Sequence, residues 1–309
     1  MATDEKRMTP DASEFTLTRA EQGLLPSAAD VRHYAAHGWY QSQKLLDDDE
    51  VEALLAASER FYAGQRDRAL PVRPPNLAYW EPAHGPVQRH NDYIHYESAE
   101  IAKILRKPLI GAVAARLAEA DTIRVFQATL IYKPSISGET TNLVPWHADR
   151  HYWQTCTSER MLTAFIPFHD CGVDMGTITM VDGSNQWRDI TGDDSTRHFA
   201  QRDRQELDAI LRQTAQQNSA KLSAVPMVIP KGHMSFHHCR TYHGSGHNVS
   251  GQPRRAISLH LQDGQNRWRP FHRADGSQVF YNHDTLVRKT SEGTPDYGDP
   301  EYCPVLWHG

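Results

Sequence analysis

Residues 123–134 read IRVFQATLIYKP, a run of β-branched and aromatic side chains that stops at a proline. Such a run predicts a strand. It opens a series: PWHAD (145–149), MLTAFIPFHD (161–170), GTITMVDGS (176–184), VPMVIP (225–230), GHMSFHH (232–238) and RAISLHL (255–261), parted by Gly, Pro, Asn and Asp. Short strands in this number and spacing indicate an antiparallel sandwich or barrel. One insertion, about 200–217, reads as a charged surface helix. Upstream the texture is helical. A short helix is expected over 28–36, broken at Gly38. Asp47, Asp48 and Asp49 then offer a cap and favour the positive end of a helix dipole, and Val51, Leu54, Leu55, Ser58 and Phe61 follow at helical spacing. A further amphipathic helix is expected over 98–119, interrupted at Pro108. The expected fold is therefore mainly β with flanking α-helices, a double-stranded β-helix (jelly roll, cupin-like). Residues 1–27 form a flexible polar tail. Residues 28–309 form one domain, with N-terminal helices at 28–120, a β core at 121–263 and a C-terminal extension at 264–309.

Composition narrows the function classes. Of 309 residues, 39% are hydrophobic and 23% charged, as in a soluble globular protein, and the formal net charge of −5 argues against a nucleic-acid or anionic-membrane surface. No apolar run approaches the roughly 20 residues needed to span a bilayer. The first residues, MATDEKRMTPDASEF, lack the apolar core of a secretory signal, so a cytoplasmic protein is expected. Cys156, Cys171, Cys239 and Cys303 form no C-x-x-C pair and read as reduced, buried thiols. Eighteen histidines raise the prior for a metal site without locating one.

The stretch VPWHADRHYW (144–153) offers a location. Alternation along a strand turns His147 and Asp149 the same way, with Ala148 aside. The plainer reading is a histidine hydrogen-bonded to an acid at a strand end, and the spacing alone does not decide. A third ligand must come from elsewhere. His233, His237, His238, His243, His247 and His260 are candidates, and His243 stands out because Gly-Ser-Gly follows it and lets the backbone approach a ligand. Arg254 opens a strand on which Arg254, Ala256, Ser258 and His260 share one face. An inward arginine is costly unless an anion meets it, and a dicarboxylate would supply one. Two histidines and one carboxylate on one side of a metal suit non-haem Fe(II) with open positions.

H-x-D, then a distant His in HGSG-x-N, then the strand RRAIS resembles the Fe(II)/2-oxoglutarate dioxygenases, and within them the phytanoyl-CoA dioxygenase family. The resemblance begins at HYAAHGWYQSQKLLDDDEVEAL, continues through QATLIYKPSISGETTNLVPWHADRHYW and GTITMVDGSNQW, and ends at YHGSGHNVSGQPRRAISLHL, most of residues 30–263. It implies that His147, Asp149 and His243 bind Fe(II), with 2-oxoglutarate and O2 as cosubstrates and succinate and CO2 as co-products. It implies that Arg254 takes the distal carboxylate of 2-oxoglutarate in a bidentate contact and that Ser245 helps. Thr129 and Gln127 match positions facing the cosubstrate, Ser258 lies on the Arg254 face, and Phe165 stands where relatives often carry tryptophan. Ala148 replaces a common glutamine, which removes one cosubstrate hydrogen bond and not the metal. A carboxylate at Asp149 fills the place that related halogenases leave for chloride, so oxygenation is expected.

The substrate is left open. Tyr79, Trp80, His84, Arg89, His90, Asp92 and Tyr93 crowd an irregular stretch, which suits either the mouth of a barrel or packing against the N-terminal helices. Of these Tyr79, Trp80, His90 and Tyr93, with His151 and Trp153, are the candidate substrate contacts. His237, His238 and His247 read as solvent or loop residues and His260 as a core histidine. Trp268, Phe271 and Tyr281 are candidates for a pocket cover or a homodimer contact. The expected function is hydroxylation of a small molecule in secondary-metabolite biosynthesis, with desaturation, cyclisation or epimerisation on the same iron as the alternative. A non-catalytic metabolite-binding jelly roll would have lost a ligand or Arg254. A zinc hydrolase would need a carboxylate general base and no Arg254.

Overall fold

The computed structural model describes residues 15–136, 142–188 and 204–309. Among them, eleven strands form two antiparallel sheets. The strands are β1 (Trp39–Gln41), β2 (Arg89–Asp92), β3 (Thr122–Lys133), β4 (Val144–His147), β5 (Leu162–Pro167), β6 (Ile178–Val181), β7 (Ala224–Pro226), β8 (Ser235–His238), β9 (His243–Ser245), β10 (Arg254–Asp263) and β11 (Val305–His308). The larger sheet runs β1-β8-β5-β10-β3-β11, with β2 also on β3; the smaller runs β4-β9-β6-β7. Phe165 and Ala256 of the larger sheet pack with Ile178 and Met180 of the smaller, so the two sheets share one interior.

Alternation assigns the faces of the larger sheet. On its outer face Leu162, Ala164, Ile166, Ile257, Leu259 and Leu261 are buried against helices. On its inner face, cross-strand rows run Gln127–His260–Thr163–His237, Thr129–Ser258–Phe165–Ser235 and, at the far end, Lys133–Arg254. A register shift between His260 and Leu261 marks a bulge opposite Phe126. The extra residue lets Phe126 join an inner aromatic cluster with Trp153 and Tyr297 while Val125 returns to the helical side.

The helices are α1 (Arg19–Gln22), α2 (Ala28–His37), α3 (Asp48–Tyr62), α4 (Ile94–Glu97), α5 (Ala99–Leu105), α6 (Pro108–Ala118), α7 (Arg204–Gln217) and α8 (Asn282–Leu286). Local chemistry sets their ends. Ser27 and Asp30 form a capping box on α2, and Asp47 with Glu50 does the same on α3. Gly38 ends α2 in the left-handed region, φ 80°, where a Cβ would strike Thr241 and Asn185. Val51, Leu54, Ala57 and Phe61 bury the α3 stripe in the helix–sheet core. Each of Val51, Leu54 and Phe61 contributes roughly 1.5–3 kcal/mol by its burial. Pro108 divides residues 98–119 into two helices, standing at the first turn of the second.

Several expectations are corrected. Residues 15–27 of the supposed flexible tail carry structure: Phe15 and Leu17 are buried, and α1 is capped by Thr18; residues 1–14 lie outside the described residues. The irregular stretch 71–97 contains β2 and α4. The C-terminal extension contributes β11, which pairs with the start of β3. The insertion helix begins at Arg204 among the described residues, and its expected start at 200–203 lies outside them. No helix of the described residues is long and apolar enough to cross a membrane.

Candidate metal centre and its cavity

The smaller sheet brings the two histidines together. His147 closes β4, His243 opens β9, and the two are register partners with ring centroids 4.2 Å apart. The strand stops at His147, not at Asp149. Ala148 keeps an extended backbone (φ −118°, ψ 136°), so Asp149, the first residue of a short 3-10 turn, still turns toward the imidazoles. Ligand atoms of His147, Asp149 and His243 all lie within 4.8 Å of one another, and all three residues are buried. Asp149 Oδ1 is 3.6 Å from His243 Nε2.

Surrounding groups fix this set. His147 Nδ1 lies 2.8 Å from the Pro145 carbonyl and His243 Nδ1 3.0 Å from the Thr241 carbonyl. Each Nδ1 therefore carries the proton and donates it, leaving Nε2 as a lone-pair donor. Thr163 Oγ1 donates to Asp149 Oδ2 at 2.6 Å and stands 2.8 Å from His260 Nδ1. Burial raises the Asp149 carboxyl, but His243 and then His237, when those imidazoles are protonated, outweigh it and hold it well below the usual carboxylate range; a bound metal would replace that positive charge. An anionic oxygen and two neutral nitrogens aimed at one point suit a divalent transition metal such as Fe(II).

His237 corrects its reading as a solvent or loop residue. It is 1% exposed on β8, its Nε2 is 3.3 Å from Asp149 Oδ2, and neither ring nitrogen makes a well-formed hydrogen bond among the described residues. His260 lines the same cavity.

The cavity, of about 330 Å³, lies between the sheets. His147, Asp149 and His243 line it, as do Gln127, Thr129, Phe165, Ser245, Arg254 and Ser258. Of the six candidate substrate contacts, only His90 and Trp153 line it. The other four are corrected. Tyr79 turns its hydroxyl to Glu97 at 2.9 Å. Trp80 stacks on Arg89 and donates to the Gly85 carbonyl. Tyr93, left-handed at φ 61°, ends β2 and swings its hydroxyl to His283 at 2.7 Å. His151 packs edge-on to Tyr242. Of the proposed cover, Tyr281 lines the cavity beside Val279 and Phe280.

Sequence reasoning missed Lys133, the cross-strand partner of Arg254. Its ammonium is fully buried and donates to Ser245 Oγ at 2.6 Å and to the Gly246 carbonyl at 2.7 Å. Arg254, 2% exposed, donates to the Gly176 carbonyl and lies over the Phe165 ring, and its Nε has no partner among the described residues. No carboxylate pairs with either cation among those residues. Burial pushes Arg254 down to about 10; burial, then Arg254, pushes Lys133 down to about 6. An uncompensated guanidinium at one end of the cavity, beside an amine that an entering anion would protonate, makes an anion site.

Lys133 also sets a pH dependence. The unfolded chain holds its proton up to about pH 10.4, the folded chain only below about 6. Between those values the unfolded state binds more protons, so folding stability falls as pH falls. Lys133→Met removes this slope. Relative to wild type, ligand-free Lys133→Met is expected to gain thermal stability between pH 10 and pH 7, and parallel melting-temperature curves would refute the assignment.

A family model described as phytanoyl-CoA dioxygenase (PhyH) matches residues 34–256. An ectoine dioxygenase of Bordetella bronchiseptica is 28% identical over 249 residues, covering 79% of this chain and 78% of the relative. Two solved structures share the fold. The epimerase SnoN, in complex with Fe3+, α-ketoglutarate and nogalamycin RO, superposes with a TM-score of 0.63 at 23% identity, over 93% of this chain and 98% of that one. EctD from S. alaskensis, with 2-oxoglutarate and 5-hydroxyectoine, gives 0.59 at 19% identity, over 85% and 88%.

Proposed function

The chain belongs to the phytanoyl-CoA dioxygenase (PhyH) family, and from that premise we propose that it is an Fe(II)/2-oxoglutarate-dependent dioxygenase hydroxylating a small organic molecule. One observation carries the reading. A single cavity is lined by two tautomer-fixed imidazoles with a carboxylate and, on the facing sheet, by a buried guanidinium without a carboxylate partner among the described residues, with Lys133 beside it on the next strand. The Fe3+ and α-ketoglutarate in SnoN and the 2-oxoglutarate in EctD support it. We place the reaction in the cytoplasm, in the making of a secondary metabolite, and take the two sheets as a double-stranded β-helix.

Fe(II) with 2-oxoglutarate and O2 supplies an oxidant able to take hydrogen from an unactivated carbon, releasing succinate and CO2. His147, Asp149 and His243 would hold the metal, the carboxylate offsetting part of its charge. Arg254 would meet the distal carboxylate with paired N–H groups, and Lys133 would bring Ser245 to the same end. Phe165 walls the middle of the cavity, and Trp153, 1% exposed and edge-on to His260, keeps water from the ligand side. Hydroxylation needs no protein nucleophile. Thr163 orients Asp149, so Thr163→Val is expected to lower metal affinity about 10-fold with the fold retained, measured by Co(II) titration. An unchanged affinity would remove Thr163 from the site.

Anaerobic Fe(II) and 2-oxoglutarate should give wild type a visible charge-transfer band that His147→Ala lacks. No band with intact protein, or an equal band in the variant, overturns the reading. Epimerisation is the second reading, because SnoN is an epimerase. It begins with the same hydrogen abstraction, and product mass separates the two: hydroxylation adds an oxygen atom, epimerisation adds nothing.

A further inference from the structure

Asp92 stands at a place in the cavity that the ligand set and the Arg254–Lys133 row leave unexplained. It ends β2 opposite Thr129, while Lys133 faces Arg254. Four residues of β3 separate the two rows, roughly 13 Å along the strand. Asp92 therefore stands well away from Arg254 and Lys133; Arg273 is the other cationic side chain among the lining residues. Asp92 is 6% exposed and lines the space. Thr129 Oγ1 donates to Oδ1 at 2.7 Å and the Ala78 amide to Oδ2 at 3.0 Å. No cation pairs with it among the described residues. Burial pushes its carboxyl up to about 6, so it is charged at neutral pH.

Hydrogen bonding alone does not account for a carboxylate here. A hydroxyl, a backbone amide and the Gln127 side-chain amide ask only for neutral acceptor oxygen, and an asparagine would give one without burying a charge. A buried carboxylate without a counter-ion is costly, and a cationic ligand removes that cost. The neighbouring wall fits the rest of such a ligand. Val279 and Phe280 line the same cavity, and Phe280 is 64% exposed, an apolar surface at the opening. The geometry points to Asp92 as the substrate anchor. It receives a protonated nitrogen, ammonium or amidinium, of an otherwise apolar small molecule, and so turns one carbon toward His147, Asp149 and His243. The inference deepens the dioxygenase reading and rests on it for which end of the cavity is reactive.

Benzamidine and its neutral isostere benzamide, titrated calorimetrically into the full-length protein without metal or cosubstrate, test the anchor. Benzamidine is expected to bind at least about ten-fold more tightly than benzamide, and Asp92→Asn to bring the two to equal affinity. Equal affinities in wild type, a cation preference surviving Asp92→Asn, or no saturable benzamidine binding each overturns the proposal. Wild-type crystals soaked with benzamidine give a result independent of the variant's folding. Density for the amidinium against Asp92 supports the anchor, and density elsewhere or none refutes it. The charge-transfer band should persist in Asp92→Asn. Its absence from wild type would strike the dioxygenase reading, while the cation preference is read separately.

Discussion

Arg254→Leu is expected to weaken 2-oxoglutarate binding by about 100-fold or more while metal affinity stays within about two-fold. The estimate follows from desolvation. Removing one partner of a buried charge pair costs roughly 2–5 kcal/mol, which is about 30-fold to several thousand-fold. Lys133 remains nearby, fully buried on the facing strand, and keeps the loss toward the lower end of that range. Titration of Fe(II)-loaded protein with 2-oxoglutarate under anaerobic conditions measures it. The variant carries a second signature. Ligand-free wild type buries Arg254 with no carboxylate partner among the described residues, so removing that buried charge should offset the packing lost with the shorter leucine. Weakened binding with an unchanged or raised melting temperature separates an anion site from a structural arginine. Unchanged binding would remove Arg254 from the cosubstrate site.

His243→Ala is expected to lower Fe(II) affinity roughly 1,000-fold and abolish turnover, while His237→Ala lowers it by about ten-fold at most. The contrast matters because His237 stands as near the carboxylate as His243 does. Their ring centroids are 4.2 Å apart, and both have Nε2 within 3.6 Å of an Asp149 oxygen. Distance alone does not choose between them. The backbone does: Nδ1 of His147 and of His243 each lies against a carbonyl that fixes the tautomer and aims Nε2, whereas His237 has no such partner among the described residues. Equilibrium dialysis with Fe(II) reads the difference. Equal losses in the two variants would show that His237 is also a ligand and that the donor set has four members.

Much of this site was legible because strands alternate. Arg254, Ser258 and His260 lie on one face by counting in twos, and the structure turns that face inward. The same count from Gln127 and Thr129 reaches Lys133, yet a lysine next to a proline at a strand end ordinarily faces water, and only the opposing sheet makes the place interior. His237 and His238 are adjacent, so one step of register decides which is buried, and no local feature reveals that step. Aromatic content marked 79–93 as a place where the chain meets something. It could not say what, because Tyr93 sits in a left-handed conformation that ends the alternation of β2. His90 and Asp92, before that break, face the cavity, and Tyr93 after it does not.

The walls of the cavity come from two sources. The central strands and the turn after β4 supply the histidines, the carboxylate and Arg254, while the edge strand β2 with its leading segment and residues 273–282 supply the opening. Because the opening is made by chain that carries few of the ladders holding the sheets together, it can be rewritten piecemeal without disturbing the reactive core. A lineage built this way can change what it oxidises long before it changes how. An engineer who grafts only those two stretches from one member onto another should inherit the donor's diet and keep the recipient's furnace.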